Sequence, residues 1–498
     1  MLLSLLLITP FLSGIFSFFS FRINKDIPRW IALTGITITL LIVIKMCFFS
    51  NYSSHQIEKY PCWDEQLILP WIPILGIDFH IAIDSFSKIM LFLTSFLGII
   101  AILVSWCEIK KNEGFFYFNV MLVITGIIGI FIACDLFLFF FFWEVVLIPI
   151  YFLISLWNRD KNKSHKSINT ANKFFIYSQI SGLLMLVSIL LLVFSHYKNT
   201  DILTFNYDIL LTGSIDSKIE YISMLGFFLA FAIKMPIFPF HDWLLDFHAK
   251  SIYCGTVDII SVLLKIAPYG LLRYSRVFFP HVSEKFSFII ILLGLFTLFY
   301  GAWAAFSQLD IKRLIAYSSI SHMGLILIAI YSNNEIAFKG AVIEILSNSI
   351  STAALCIISG QIYKYLKTQD ISQMGGLWES IYWIPGFSLF FSLANLGLPG
   401  TGNFSGEFLM LFGTFKTYPI ISLIAVISIV FSSLYSLNMI QKIYFGKQKQ
   451  IISIFFPHIK EFLILIILAF SVILLGLIPQ NILCSSFEVI HSIYNFKK

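Results

Sequence analysis

The sequence predicts an all-α polytopic membrane protein with about 14 membrane-spanning helices, and two observations carry that prediction. The 498 residues are 58% hydrophobic and only 12% charged, which lies outside the composition of ordinary soluble domains. Apolar stretches recur along the chain at the roughly 20 residues that a helix needs to cross a hydrocarbon core of about 30 Å. Because lipid offers the backbone no hydrogen-bond partner, these stretches form helices rather than open sheets.

The predicted spans are the long apolar runs between polar loops. They cover residues 2–21, 28–49, 82–106, 114–132, 134–155, 171–195, 221–240, 252–275, 286–306, 311–331, 336–364, 383–418, 419–440 and 459–479. The first run has no Lys or Arg ahead of its apolar stretch, so we expect a retained span rather than an export signal.

Spans seven and twelve contain helix breakers. Pro236 and Pro239 fall inside span seven, where each removes a backbone donor and clashes with the preceding turn, so the helix is predicted to break just after Lys234. Span twelve contains LGLPGTGNFSG, whose glycines and proline predict a second break and a new helix near Ser405. Each break alone is also compatible with an ordinary kink, because membrane helices tolerate Pro and Gly.

The two breaks lie five spans apart, which predicts an internal repeat. Interrupted spans at matching positions in two halves indicate a transporter built from repeats, with its site near the bilayer midplane. Units of spans four to eight and nine to thirteen place the breaks in register, and an odd number of helices inverts the second unit. The predicted divisions are N-terminal helices in 1–110, the repeats in 111–275 and 280–445, and a last span with a tail in 446–498.

The distribution of basic residues predicts the orientation. The loop after span five is rich in Lys and Arg, whereas Lys59 is the only Lys or Arg between 50 and 81. The positive-inside rule therefore places the first, fifth and thirteenth loops in the cytoplasm or matrix and both termini on the opposite side.

Four ionisable residues stand out among those that fall inside predicted spans: Glu144, Lys234, Lys265 and Glu407. A charge at mid-span costs on the order of 2.5–3.5 kcal/mol on insertion scales, so each one needs an explanation. A structural ion pair would explain any one of them. Acid, base, base and acid on four separate helices favour a proton relay, because burial disfavours a charged lysine whereas a nearby carboxylate favours it.

Other binding chemistries have little support in the sequence. The seven cysteines form no CxxC pair and no zinc or iron–sulfur spacing. The net charge of +6 is spread over short loops rather than over one basic face, which argues against nucleic acid. His241, Asp242, Asp246, His248 and Asp258 are metal-binding residue types without a ligand geometry, and broken helix ends need polar partners in any case.

Several segments resemble signature stretches of the proton-conducting antiporter-like membrane subunits of respiratory complex I. They are DLFLFFFFWEVVLIPIYFLI, AIKMPIFPFHDWLLDFHAK, LLKIAPYGLLRY, QLDIKRLIAYSSISHMG and LGLPGTGNFSGEF, and the resemblance covers most of residues 80–440. Within that family the chain is most similar to the chain M branch, the counterpart of mitochondrial subunit 4, since Glu407 is acidic where the L and N branches typically carry lysine.

The resemblance implies a role for each buried charge. Glu144 and Lys234 would form a modulating ion pair, Lys265 would be the central relay lysine, and Glu407 would be the terminal proton carrier. His322 would be a polar relay group, although a hydrogen-bonded core histidine fits the sequence equally well.

The chain departs from the family pattern at Asn348, where the chain M branch usually has histidine. An amide carries no proton at ordinary pH, so the implied link between Lys265 and Glu407 is weakened. Glu344, one helical turn earlier, or a bridging water would have to replace that histidine.

The function implied by the resemblance is proton translocation by one membrane subunit of NADH:quinone oxidoreductase. NADH, FMN, iron–sulfur clusters and quinone would be bound by other subunits, and this chain would hold no cofactor and no metal. The implied partners are the other membrane subunits, with antiporter-like chains L and N flanking this one, and the lipid bilayer. The expected location is a bacterial inner membrane, with the mitochondrial inner membrane as the alternative.

Two other classes of function remain open at this stage. The chain could be a subunit of a multi-subunit cation/proton antiporter with the same fold. It could also be a non-conducting structural subunit whose charges only hold helices together.

Overall fold

The computed structural model describes residues 2–48, 61, 63–106, 109–157, 164–213, 215–250, 262–447, 459–480 and 482–483. The fold is mostly helical. Eleven helical stretches of the described residues are long and apolar enough to cross a membrane. They correspond to predicted spans one to six, nine to eleven, thirteen and fourteen; spans seven and twelve are broken, and the start of span eight lies outside the described residues.

The helices of the first half of the chain are α1 Leu2–Ser20, α2 Ile27–Phe48, α3 Ser85–Ser105, α4 Glu113–Ile132, α5 Leu136–Val145, α6 Leu147–Leu156, α7 Ser164–Thr200, α8 Tyr207–Thr212, α9 Ser217–Lys234, α10 Asp242–Lys250 and α11 Val262–Gly270. A π-helical turn, Leu271–Ser275, connects α11 to a short helix. The helices that follow are α12 Arg276–Phe278, α13 Pro280–Ser307, α14 Ile311–Tyr331, α15 Glu335–Leu366, α16 Ile384–Asn395, α17 Gly402–Thr417, α18 Pro419–Tyr444 and α19 Ile459–Leu477.

Both predicted breaks coincide with observed helix ends. Helix α9 ends at Lys234, and α10 begins eight residues later at Asp242. Helix α16 ends at Asn395 and α17 begins at Gly402, three residues before the predicted restart at Ser405. In the second break Gly397 and Gly400 adopt φ angles of +80° and +92°, which side chains with a Cβ rarely tolerate.

Span five is divided at Val146, which the sequence prediction had not included. A continuous helix would bond the carbonyl of Val145 to the amide of residue 149, but that residue is Pro149 and has no N–H. The interruption lies just after Glu144, so the helix is least regular beside a charged residue.

An antiparallel β-hairpin lies where the sequence predicted a loop. Its strands are β1 Glu65–Ile72 and β2 Ile77–Ile83, so α3 begins at Ser85 rather than at residue 82. The hairpin contacts the ends of two spans, because the amide of Cys134 donates to the carbonyl of His80 at 2.9 Å. It therefore covers one end of the helical bundle.

Helices α14 and α15 lie at the centre of the bundle, since their apolar stretches are completely buried. Helices α18 and α19 are largely exposed along their length, as expected of surfaces that face lipid or neighbouring subunits. The central position of α14 and α15 brings His322, Glu344 and Asn348 into the interior of the chain.

Candidate functional site

Lys234 lies at the end of α9 and is only 2% exposed. Its Nζ donates a hydrogen bond to Oγ of Ser178 on α7 at 3.0 Å. The ring centroids of Trp143 and Phe174 lie 5.4 and 5.3 Å from Nζ, within the range of cation–π attraction. The break after Lys234 therefore places its amine in an aromatic cage with a single hydroxyl partner among the described residues.

Glu144 lies near the end of α5 and points towards the same helix, α7. Its Oε1 is buried without a hydrogen-bond partner among the described residues, and its carboxylate interacts with the side chain of Gln179. Gly182 leaves the space that the carboxylate occupies, because a Cβ on Gly182 would come within 1.7 Å of Oε1. A small residue on α7 thus permits a buried acid on α5.

The fold brings Glu144 and Lys234 together across α7, but each charge has a neutral side chain of α7 as its polar partner. Lys234 bonds to Ser178, and Glu144 interacts with Gln179. The two charges still interact electrostatically. The arrangement is therefore a separated pair, in which α7 supplies alternative partners.

Lys265 lies on α11 and is 1% exposed. Its Nζ donates to Oδ1 of Asn348 on α15 at 2.9 Å. Asn348 is itself fully buried, and its Nδ2 has no hydrogen-bond partner among the described residues. The amide that departs from the family pattern is thus the hydrogen-bond acceptor for Lys265.

Glu344, His322 and Glu407 form a compact cluster. Nδ1 of His322 lies 3.2 Å from Oε1 of Glu344 and 3.4 Å from Oε1 of Glu407. Glu344 is fully buried, and the side chain of Glu407 is 12% exposed. Glu344 lies four residues before Asn348, so the two share a face of α15 about one turn apart. The cluster therefore adjoins the partner of Lys265.

A buried cluster of amides and hydroxyls closes the second break, and sequence reasoning did not single it out. Ser351 donates to Oδ1 of Asn395 at 2.8 Å, and Nδ2 of Asn403 lies 3.3 Å from both Oγ of Ser351 and Oδ1 of Asn395. Ser347 bonds to Asn403 as well. An asparagine on each side of the LGLPGTG segment is the signal that could have indicated this cluster.

The residues of HDWLLDFH that could bind a metal by type have separate partners. Asp242 and Asp246 both contact the amine of Lys173, and Nε2 of His241 lies 3.2 Å from the hydroxyl of Tyr300. Asp258 falls outside the described residues.

The group within the described residues that offers metal-ligand atoms close together is the cluster of His322, Glu344 and Glu407, whose ligand atoms all lie within 4.8 Å of one another. One imidazole between two carboxylates at 3.2 and 3.4 Å is equally an arrangement in which protons are shared.

Comparison with known proteins agrees with this architecture. The family described as NADH:quinone oxidoreductase/Mrp antiporter, TM, matches residues 133–432. NADH-quinone oxidoreductase subunit M of Buchnera aphidicola subsp. Schizaphis graminum is 69% identical over 498 residues, which are 100% of this chain and 99% of the relative. Subunit M of Escherichia coli K12 is 48% identical over 496 residues, or 99% and 97% of the two chains.

A chain in the structure of respiratory complex I from Thermus thermophilus with bound NADH has the same fold. The TM-score is 0.86, with 24% sequence identity and 99% of both chains covered. The fold is thus that of a complex I membrane subunit. From its full-length identities, this chain belongs to the NADH:quinone oxidoreductase/Mrp antiporter family, within the subunit M group.

Proposed function

We propose that this chain translocates protons across the membrane as one subunit of NADH:quinone oxidoreductase. The observation that carries the proposal is the succession of ionisable side chains inside the bundle, from Glu144 and Lys234 through Lys265 to the cluster that contains Glu407. Charges at this depth are costly and mark ion or proton pathways in membrane proteins. Full-length relatives named subunit M of this enzyme support the same function.

The proposed first step is a change in the partner of Lys234. With Ser178 as its hydrogen-bond partner the amine contacts no anion among the residues that the structure describes, and burial then disfavours its charged form. A movement of Glu144 towards Lys234 would favour the charged form again. Redox energy released elsewhere in the complex would drive this movement, so that the lysine alternately holds and releases a proton.

The proposed later steps pass through Glu344. Lys265 is bonded to Asn348, whose amide accepts a hydrogen bond but cannot itself carry the proton onward. Glu344, one turn away, is the adjacent titratable group, and it lies beside His322. The proton would move from Lys265 to Glu344, across His322 to Glu407, and then to the outer face.

The finer architecture is part of the same proposal. The chain would have 14 spans, with inverted repeats of spans four to eight and nine to thirteen and divisions at 1–110, 111–275, 280–445 and 446–498. Chains L and N would flank it in the membrane arm, and other subunits would bind NADH, FMN, the iron–sulfur clusters and quinone. The membrane would be a bacterial inner membrane, with both termini on the periplasmic side.

Replacement of the buried lysines tests the relay. Lys234→Ala and Lys265→Met should each abolish most NADH-driven proton pumping, measured by dye quenching in inverted vesicles, because each removes a proton carrier. NADH oxidation with an artificial acceptor should stay nearly intact. Lys218→Ala is the matched control, since Lys218 is an exposed lysine on the first turn of the same helix as Lys234. Full pumping in Lys234→Ala or Lys265→Met would contradict the relay.

Copurification separates the proposal from an independent cation/proton antiporter. An NADH-oxidising peripheral arm should purify together with this chain. Sodium-dependent growth rescue by the chain, with no such arm attached, would instead support the antiporter function.

A further inference from the structure

The charged face of α10 forms ion pairs with two other helices, α7 and α14. Asp242 and Asp246 lie four residues apart on one face of α10. Nζ of Lys173 on α7 lies 2.6 Å from Oδ2 of Asp242 and 3.0 Å from Oδ2 of Asp246. The other carboxylate oxygen of Asp246 lies 3.0 Å from Nη2 of Arg313 on α14. One carboxylate of α10 therefore bridges cations on α7 and α14.

The buried face of α10 reaches the backbone beside Lys234. Trp243 is 3% exposed, and its Nε1 donates to the carbonyl oxygen of Ile233 at 2.9 Å. In a continuous helix the amide of Ile237 would donate to that carbonyl, but here it donates to the carbonyl of Ala232 instead. Trp243 thus supplies the hydrogen bond that the break removes, directly beside the relay lysine.

Phe174 completes the connection on the side of α7. It follows Lys173 in the sequence, so the two residues belong to the same turn of α7. Its ring centroid lies 5.3 Å from Nζ of Lys234 and 5.5 Å from the ring of Trp243. The ion pairs of α10 are therefore connected to the aromatic cage around Lys234 through neighbours in the sequence. These are Lys173 and Phe174 on α7, and Asp242 and Trp243 on α10.

We propose that Lys173, Asp246 and Arg313 are positioning residues for proton transfer at Lys234. They hold α10 against α7 and α14. Through the contacts of Trp243 and Phe174, the position of α10 then determines the position of the Lys234 amine. The inference rests on the proposed role of Lys234 in the relay.

The ion pair between Asp246 and Arg313 also connects the two halves of the proposed pathway. Arg313 lies in the first turn of α14, and His322 of the terminal cluster lies on the same helix. Lys234 lies immediately before the break that α10 follows. A shift of α14 is therefore transmitted by Asp246 to the helix that supports Lys234, and a shift of α10 is transmitted in the opposite direction.

The exposure of the ionic side chains distinguishes a positioning role from a stabilising one. They are 28 to 58% exposed, so each pair contributes little to the free energy of unfolding. A small displacement of a reacting group affects rate far more than stability. Loss of these pairs should thus reduce proton transfer while the complex still assembles.

The test uses a double-mutant cycle in the intact membrane complex. Asp246→Asn and Arg313→Gln should each lower the number of protons pumped per NADH oxidised by about threefold. The double variant should lose no more than Asp246→Asn alone, because that variant has already lost the Asp246–Arg313 pair. Asp246→Glu, which keeps the charge, should retain most of the pumping. Lys198→Ala is the control, since it breaks the Lys198–Asp216 pair near the opposite end of α7.

Each outcome bears on one proposal. Unchanged pumping in Asp246→Asn, with pumping abolished in Lys234→Ala, would overturn the positioning role and leave the proposed function intact. Full pumping in Lys234→Ala would remove the proposed function and, with it, this inference. Multiplied losses in the double variant would show that Asp246 and Arg313 act separately. Failure of the complex to assemble with Asp246→Asn, but not with Asp246→Glu, would show a structural role. Either this failure or multiplied losses in the double variant would overturn the inference.

Discussion

At the scale of single residues, the chemistry of Asn348 limits where a proton from Lys265 could go in the proposed relay. The amide oxygen holds the lysine at 2.9 Å, but an amide neither gains nor loses a proton at ordinary pH. Glu344 lies one turn away with both carboxylate oxygens buried, and it lies 3.2 Å from Nδ1 of His322. The resemblance implies a titratable histidine at position 348. Glu344, one turn away, is therefore a titratable group close to that position.

A rescue experiment tests whether Glu344 carries the proton in place of a histidine at position 348. Glu344→Gln should abolish most proton pumping, because it removes the titratable group between Lys265 and His322. Adding Asn348→His should restore a substantial part of the pumping, because an imidazole titrates near neutral pH at the position that already contacts Lys265. Dye quenching in inverted vesicles measures both variants.

The control for that rescue is Glu344→Gln combined with Asn348→Gln, which changes the size of the side chain but provides no titratable group. Equal recovery with glutamine, or no recovery with histidine, would contradict a proton-carrying role for Glu344.

The buried charges were predictable from the sequence, whereas the hydrogen-bond partner of Lys234 was not. Glu144, Lys234, Lys265 and Glu407 stand out because a charge within an apolar span is rare. Ser178 has no such signal, since neutral hydroxyls are common in membrane helices and usually bond to their own backbone. Its contact with Lys234 depends on how α7 packs against α9, which is a property of the tertiary structure.

At the scale of helices, α7 sets the geometry between the acid of α5 and the lysine of α9. Ser178 and Gly182 are four residues apart and share one face of α7, with Gln179 beside them. Oγ of Ser181 also donates to the carbonyl of Ala230 at 2.8 Å, which fixes α7 against α9. The separation of Glu144 and Lys234 therefore depends on α7 as well as on their own helices.

Substitution of Gly182 tests the role of this face. The Cβ of Gly182→Ala would collide with Oε1 of Glu144, so the carboxylate must move away from its present place. Proton pumping, measured by dye quenching, should fall about tenfold or more, since a displacement of 1 Å can cost about a hundredfold in rate. Artificial-acceptor NADH oxidation should be unchanged.

Gly386→Ala is the matched control for that variant, because a Cβ there would have no atom within 4 Å. Normal pumping in Gly182→Ala, in an assembled complex, would show that the position of Glu144 does not limit proton transfer.

The elements differ in how well local sequence predicts them. The break after Lys234 was predictable because Pro236 and Pro239 act through their own covalent structure. The hairpin of β1 and β2 was missed because Pro70 and Pro73 interrupt its strands and turn, and its pairing depends on contact with distant segments such as Cys134. Local signals thus predicted where helices end, but not what covers the end of the bundle.

At the scale of the whole molecule, the positions of the charged loops indicate how the chain lies in the membrane. The hairpin and the segment before it have Lys59 as their only Lys or Arg, whereas the first loop contains Arg22 and Lys25. Helix α2 has 22 residues and is about 33 Å long, enough to separate these two regions by a bilayer. The positive-inside rule then predicts that the hairpin lies on the outer side.

Accessibility of two matched cysteines tests this orientation. Ile23 in the first loop and Ile74 in the hairpin turn are 82% and 91% exposed, so Ile23→Cys and Ile74→Cys introduce thiols of similar accessibility. The background replaces the seven native cysteines with serine. A membrane-impermeant maleimide should label Ile74→Cys in spheroplasts and Ile23→Cys only in inverted vesicles or after detergent treatment.

The result also determines on which side of the bundle the proposed relay must release its proton. Glu407 lies on α17, and the proposal has its proton released on the side of the hairpin. If Ile23→Cys were labelled in spheroplasts and Ile74→Cys protected, the chain would lie the other way up. Pumping outward would then require the proton from Glu407 to leave at the end of the bundle opposite the hairpin.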